Sequence, residues 1–227
     1  MEVCRNTKPD IKFLKYIRSI AYKKKIILIF DECTTGFRQS YGGLHKSIKV
    51  FPDMVIFGKA IGNGYAIAAI LGKKNIMSHA SNTFISSTFW TERIGATAAL
   101  KTIQVMKKKR SWEKITKIGK KIQKRWKILF KKHKISVEVK GIPTLASFVF
   151  KNNHQKYKTL ITQEMLKNNI LASNVIYSCT EHTDKILNNY FFHLENVVKK
   201  IKNCENGTSI EKYLQVKNST TDFKRLN

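Results

Sequence analysis

Two residues with complementary chemistry, a carboxylate and an amine, each follow a short apolar stretch of the chain. Asp31 comes directly after the apolar, β-branched run of residues 26–30, and Lys59 follows residues 54–57 and one glycine. Continuous apolar runs of this length are typical of strands buried on both faces of a parallel sheet, where the carboxyl ends of neighbouring strands meet at one edge. We therefore expect Asp31 and Lys59 to converge at one edge of one sheet.

A poorly solvated lysine beside a carboxylate can act as a nucleophile. Desolvation disfavours the ammonium form, so such an amine loses its proton below its reference pKa of about 10.4 and can attack an aldehyde. The glycines of the segment 58–64 leave room for a planar ring and a phosphate to approach the backbone. Taken separately, Asp31 could be a capping or loop residue, and Lys59 is one of 36 lysines. Their paired positions after two strands favour the chemical interpretation.

The motifs around these two residues resemble those of the class-III aminotransferases, and most of all the glutamate-1-semialdehyde 2,1-aminomutase branch. The resemblance runs from about Glu2 to Asn203. It is carried by the segments Leu28-Ile29-Phe30-Asp31-Glu32, Thr35-Gly36-Phe37-Arg38, Pro52-Asp53, Gly58-Lys59-Ala60-Ile61-Gly62-Asn63-Gly64-Tyr65, Ser86-Ser87-Thr88-Phe89-Trp90-Thr91-Glu92-Arg93, Ala98-Ala99-Leu100 and His182-Thr183-Asp184.

The resemblance implies the cofactor pyridoxal 5'-phosphate (PLP) and a role for each matching residue. Lys59 would form the Schiff base and shuttle a proton, and Asp31 would keep the pyridine nitrogen protonated. Thr88 would donate to the PLP phosphate across the interface of a homodimer. Thr34 departs from the relatives, which often carry Gln or Met near the cofactor's phenolic oxygen, whereas Glu32 and Arg38 are interpreted as structural. The implied reaction is transamination or amino-group migration on a small amino or keto substrate.

The resemblance also implies an N-terminally truncated enzyme. In the family, the loop that holds the phosphate and the aromatic residue that stacks on the ring precede the aspartate-bearing strand, and only 25 residues precede residue 26 here. The sheet would then have an exposed edge and uncovered apolar surface. An inactive, non-catalytic remnant is therefore the alternative to an active enzyme.

Hydrophobic periodicity and the resemblance together predict an α/β fold in two parts. Residues 1–110 would be a partial PLP-transferase fold-type-I large domain with a mostly parallel sheet, and residues 111–204 a small α+β C-terminal domain. Residues 205–227 are polar and lack periodicity, which predicts a loose tail. Helices are predicted at residues 10–24, from residue 91 onward, at 156–168 and at 183–203. Strands are predicted at residues 26–30, 54–57, 65–71, 136–139 and 145–150.

The net charge of +28 raises the hypothesis of nucleic-acid binding, which the composition disfavours. Of the 43 basic residues 36 are lysine and only 7 are arginine, the residue that best reads phosphates and bases.

The four cysteines lack metal-ligand spacing, so we expect reduced thiols and no metal site. No apolar run approaches the ~20 residues of a membrane span and no signal peptide is evident, which predicts a cytoplasmic protein without a membrane partner.

Overall fold

The computed structural model describes residues 9–218, which form two compact units that divide inside one helix, between Thr116 and Lys117. Unit 1 comprises residues up to 116, and unit 2 comprises residues from 117 onward. The order of elements is α1 (Ile11–Lys23), β1 (Ile29–Asp31), α2 (Leu44–Ile48), β2 (Met54–Phe57), β3 (Ala69–Gly72), α3 (Lys74–Met77), α4 (Arg93–Lys109), α5 (Ser111–Lys132), β4 (Val137–Lys140), β5 (Leu145–Phe150), α6 (His154–Leu166), β6 (Val175–Tyr177) and α7 (Asp184–Glu205).

The sheet of unit 1 has the order β1-β2-β3. Strands β1 and β2 pair in parallel, with Asp31 opposite Ile56, whereas β3 runs antiparallel to β2. The parallel pair is the part of the sheet that carries the predicted site. The α/β class is confirmed, and among the described strands of unit 1 the sheet has one parallel and one antiparallel pairing.

Strand β1 is not buried on both faces as the apolar run predicts. Phe30 is buried in the core of unit 1, but Ile29 remains 49% exposed and Asp31 is exposed. The reason is its position: β1 lies at the end of the described sheet order, and only its Phe30 face packs against Val55 and Phe57. Ile26 and Ile27, which the run included in the strand, are also exposed and precede it.

Unit 2 is an α+β unit with its own core. Strands β4, β5 and β6 form an antiparallel sheet in that order, and α5, α6 and α7 contribute buried side chains to one cluster. The cluster is centred on fully buried aromatic and aliphatic residues, among them Trp126, Phe148 and Leu194. Trp126 Nε1 donates to the hydroxyl of Tyr190 at 3.0 Å, which satisfies the indole inside the core.

The predicted loose tail differs from the structure where residues after α7 return to unit 2. Ile210 is buried, and Tyr213 and Leu214 pack against the same core. Lys156 also pairs with Glu211 at 3.0 Å. The stretch is mostly polar, and its few apolar residues lack helical spacing. Its contacts with the core were therefore not predicted from the sequence. Residues 219–227, the remainder of the predicted tail, lie outside the described residues.

Candidate functional site

The predicted lysine and aspartate both lie at the carboxyl end of the parallel strand pair. Asp31 is the last residue of β1, and Lys59 follows β2 after Gly58, at the start of a 3₁₀ turn that ends at Ile61. Because the strands are parallel and in register, their carboxyl ends bring these two residues to the same edge of the sheet. The pKa of Asp31 is lowered chiefly by the backbone N–H of Cys33, and the charge of Lys59 is a smaller cause in the same direction.

Asp31 is held as a carboxylate. The largest cause is the backbone N–H of Cys33, which donates to Asp31 Oδ1 at 2.9 Å and lowers the pKa of the aspartate. Partial burial acts in the opposite direction, while the Cys33 thiol and the Lys59 charge add to the lowering. An ionised carboxylate only accepts hydrogen bonds, so Asp31 is suited to a protonated nitrogen.

Lys59 differs from the expected poorly solvated lysine, because its side chain is exposed. Its Nζ donates a hydrogen bond to Oγ1 of Thr34, which lies three residues after Asp31 and is fully buried. The backbone of Lys59 has a φ of 45°, in the left-handed region that few non-glycine residues occupy.

The glycine-rich turn after Lys59 is tightly folded. A Cβ on Gly62 would lie 2.2 Å from the carbonyl oxygen of Tyr65, and Gly64 has a φ of 106°. Both positions therefore require glycine for reasons of the turn itself. No atom lies within 4 Å of a Cβ built at Gly64, so the turn presents open backbone there.

Glu32 stabilises the loop that follows Asp31. Its side chain is fully buried and accepts hydrogen bonds from the backbone N–H groups of Leu44 and His45, the latter at 3.0 Å. The Nδ1 of His45 lies 2.7 Å from Glu32 Oε1. The carboxylate thus joins the end of β1 to the start of α2, as the structural interpretation of Glu32 expects. Arg38 Nε donates to the carbonyl of Thr34 at 2.7 Å, which gives it a similar role.

Asp53 is a structural residue whose importance sequence reasoning missed. Its buried carboxylate accepts from Arg18 at 2.7 Å, from Lys73 at 2.6 Å and from the backbone N–H of Leu28 at 2.9 Å. Burial alone would raise the pKa of Asp53, but these donors outweigh it and hold the pKa well below its usual range. The sequence signals were its place before β2 and the Pro52-Asp53 motif, but neither indicates its partners, which are 20 to 35 positions away.

Thr88 lies in an exposed turn ahead of α4. The surrounding segment is also exposed and carries large apolar side chains, with Phe84 94% and Trp90 64% exposed. A cavity of about 290 Å³ lies elsewhere in unit 1, beside the amino end of β2, where Asp53, Met54 and Gly72 line it. It is therefore separate from the edge that holds Asp31 and Lys59.

Neither metal chemistry nor a membrane span finds support in the described part of the chain. Within residues 9–218, no three histidine, cysteine or acidic side chains group as metal ligands. Cys33, Cys179 and Cys204 form no disulfide, and Cys4 lies outside the described residues. Among those same residues, none of the helices combines the length and the apolar character needed to span a bilayer.

The model of the family Aminotransferase class-III matches residues 6–203. The chain belongs to this family. It is 33% identical over 186 residues to 3-aminobutyryl-CoA aminotransferase of Cloacimonas acidaminovorans (strain Evry), covering 79% of this chain and 45% of the relative. It is 29% identical over 212 residues to glutamate-1-semialdehyde 2,1-aminomutase of Sulfolobus acidocaldarius, covering 85% of this chain and 50% of that protein.

Solved structures show the same fold. The FumI protein of Sphingopyxis sp. MTA144, in its PLP internal aldimine form, superimposes with a TM-score of 0.81 at 16% identity, over 89% of this chain and 50% of that one. An omega-transaminase from Sphaerobacter thermophilus gives a TM-score of 0.74 at 18% identity, over 86% of this chain and 49% of that one. The chain thus spans about half the length of the relatives and structures it matches.

Proposed function

We propose that this chain carries the cofactor end of a PLP-dependent class-III aminotransferase or aminomutase, with Lys59 as the Schiff-base lysine and Asp31 as the partner of the pyridine nitrogen. The observation that carries the proposal is the placement of Lys59 and the ionised Asp31 after the paired parallel strands β2 and β1, at the same edge of the sheet. Family membership and the motif around both residues support it.

The residues present fit this cofactor. Asp31 offers an acceptor-only carboxylate to a protonated ring nitrogen, and the open glycine turn after Lys59 leaves backbone accessible to a flat ligand. Lys59 offers a primary amine at the same edge of the sheet. When bound, PLP supplies the electron sink that stabilises a carbanion at the substrate carbon.

Asp31 and Lys59 would have different roles in the reaction. Asp31 holds the proton on the ring nitrogen, since its lowered pKa keeps it ionised at neutral pH. Lys59 Nζ would accept the proton removed from the substrate carbon and deliver it to the cofactor carbon. The substrate class is a small amino or keto compound, and both transamination and amino-group migration are represented among the relatives.

The exposed segment around Thr88 supports a homodimer. Phe84, Phe89 and Trp90 are all more than half exposed, and large apolar side chains at one site mark a contact surface. In such a dimer Thr88 would donate to the cofactor phosphate of the partner subunit. The cytoplasmic location stays a prediction from the sequence.

A non-catalytic remnant that keeps the motif is the alternative. Its support is the set of exposed apolar side chains on and before β1, namely Ile26, Ile27 and Ile29. A remnant would remain colourless with PLP, whereas the proposed function requires cofactor attachment.

The test is a PLP titration of the 227-residue chain followed by visible absorbance after removal of free cofactor. We expect a stable absorbance band that Lys59→Ala abolishes and that Lys101→Ala, a change at another exposed lysine of unit 1, leaves intact. A colourless wild-type chain, or a band that survives Lys59→Ala, would overturn the assignment.

A further inference from the structure

The hydrogen bond between Lys59 and Thr34 joins a flexible exposed side chain to a fixed buried one. Lys59 Nζ donates to Thr34 Oγ1, and the two residues are 25 positions apart. Thr34 is fully buried, while Lys59 is exposed. Because a buried threonine has little rotamer freedom left, its hydroxyl is a fixed point for the end of the lysine.

The loop around Thr34 is itself held in place. The Thr34 carbonyl accepts from Arg38 Nε at 2.7 Å, and Gly36 N donates to the carbonyl of Glu32 at 2.8 Å. The hydroxyl of the next residue, Thr35, is directed to Glu32 Oε2 at 3.5 Å instead. The hydroxyls of these adjacent buried threonines thus have different partners: Thr34 accepts from Lys59, and Thr35 donates toward Glu32.

We propose that Thr34 is a positioning residue, whose hydroxyl holds Lys59 Nζ at the carboxyl end of β1 beside Asp31. The proposal rests on the proposed function of Lys59. A free lysine side chain samples many rotamers, and fixing one of them costs conformational entropy. The hydrogen bond to Thr34 already restricts the lysine rotamer before any cofactor binds. The loop that holds Thr34 also carries the Asp31 carboxylate, which feels the charge of Lys59, and the Arg38 side chain, which donates to the Thr34 carbonyl.

The first test measures the reactivity of Lys59 without cofactor. The chain is labelled with limiting acetic anhydride, and the modification of each lysine is measured by peptide mass spectrometry, with Lys101 as the internal reference. Thr34→Val removes the hydroxyl at nearly constant volume, which frees Nζ to reach solvent. We expect Lys59 labelling to rise about two- to tenfold relative to Lys101, the range that corresponds to one lost hydrogen bond.

Two variants make the result specific. Thr34→Ser keeps the hydroxyl and should restore the wild-type labelling of Lys59. Thr35→Val removes the neighbouring buried hydroxyl and should leave Lys59 labelling unchanged. Far-UV circular dichroism verifies folding, and Thr34→Ala replaces Thr34→Val if the valine variant does not fold. Unchanged labelling in the variant without the hydroxyl, or an equal rise in Thr35→Val, would overturn the proposal.

The second test adds PLP and traps it on lysines with borohydride. Thr34→Val should lower the share of phosphopyridoxyl groups found on Lys59, and Thr34→Ser should restore it. An unchanged share in Thr34→Val would contradict the positioning role. If wild-type Lys59 traps no more PLP than Lys101 while the acetylation pattern still depends on Thr34, the function proposed for Lys59 fails and the contact itself stands.

Discussion

The variant Asp53→Asn tests how much the buried carboxylate ahead of β2 contributes to the stability of unit 1. The Asp53 side chain is 8% exposed and accepts from Arg18, Lys73 and Leu28. Removing one partner of a buried charged network typically costs about 3–5 kcal/mol. Asparagine keeps one acceptor oxygen, and Lys73 is 58% exposed, so solvent screens its contribution. We therefore expect a loss of about 2–3 kcal/mol in the free energy of unfolding at pH 7.

The loss should depend on pH. The folded-state pKa of Asp53 lies below its usual value of 3.8, so ionised Asp53 contributes its full stabilisation above that value. As the pH falls below 3.8 toward the folded-state pKa, the wild-type chain loses this contribution and Asp53→Asn does not. The difference in stability between the two proteins should therefore be constant at neutral pH and narrow in acid.

Urea unfolding gives the free energies, and amide hydrogen exchange on peptides that contain β1 and β2 locates the effect in unit 1. Glu113→Gln is the matched control, because it removes the charge of a solvent-exposed pair with Arg110 and should leave the stability nearly unchanged. An Asp53→Asn protein as stable as this control, or a stability difference that persists unchanged in acid, would refute the reasoning.

Two predictions concern the packing of unit 2. Gly119→Ala should destabilise it strongly, since a Cβ there would lie 1.8 Å from the carbonyl oxygen of Pro143; thermal unfolding within 1 °C or so of wild type would contradict this. Phe148→Ala should cost about 3–5 kcal/mol in urea unfolding because the side chain is fully buried, whereas Phe192→Ala, at a 65% exposed position of the same unit, should cost little. Equal effects of the two phenylalanine changes would refute the burial argument.

Hydrophobic periodicity predicted the long helices well, because the apolar residues of one helix face recur at regular spacing within one segment of the sequence. The spacing of apolar residues gave α1 and α7 to within two residues at each end, and Asp10 and Thr183 accept from backbone N–H groups at their starts. The short elements α2 and β6 were missed, since five residues or fewer carry no clear period. Strand β1 was predicted too long because an apolar run does not show which of its faces a neighbour covers.

The positions of the site residues that directly follow strands could be predicted from the sequence. The long-range side-chain contacts of the site could not. Asp31 and Lys59 could be paired from their positions after two apolar runs. The bond from Lys59 to Thr34 and the three donors to Asp53 depend on how loops fold back, which no local pattern encodes. The exposure of Lys59 was also missed, because a position after an apolar strand does not fix how much surface the fold leaves open.

The central claim is that PLP attaches to one particular lysine among 36. The most direct measurement is borohydride reduction of the PLP-treated chain, followed by peptide mass spectrometry that assigns each phosphopyridoxyl group to its residue. We expect Lys59 to carry the dominant modification at stoichiometric PLP. An even distribution over exposed lysines, or a dominant modification at another lysine, would contradict it.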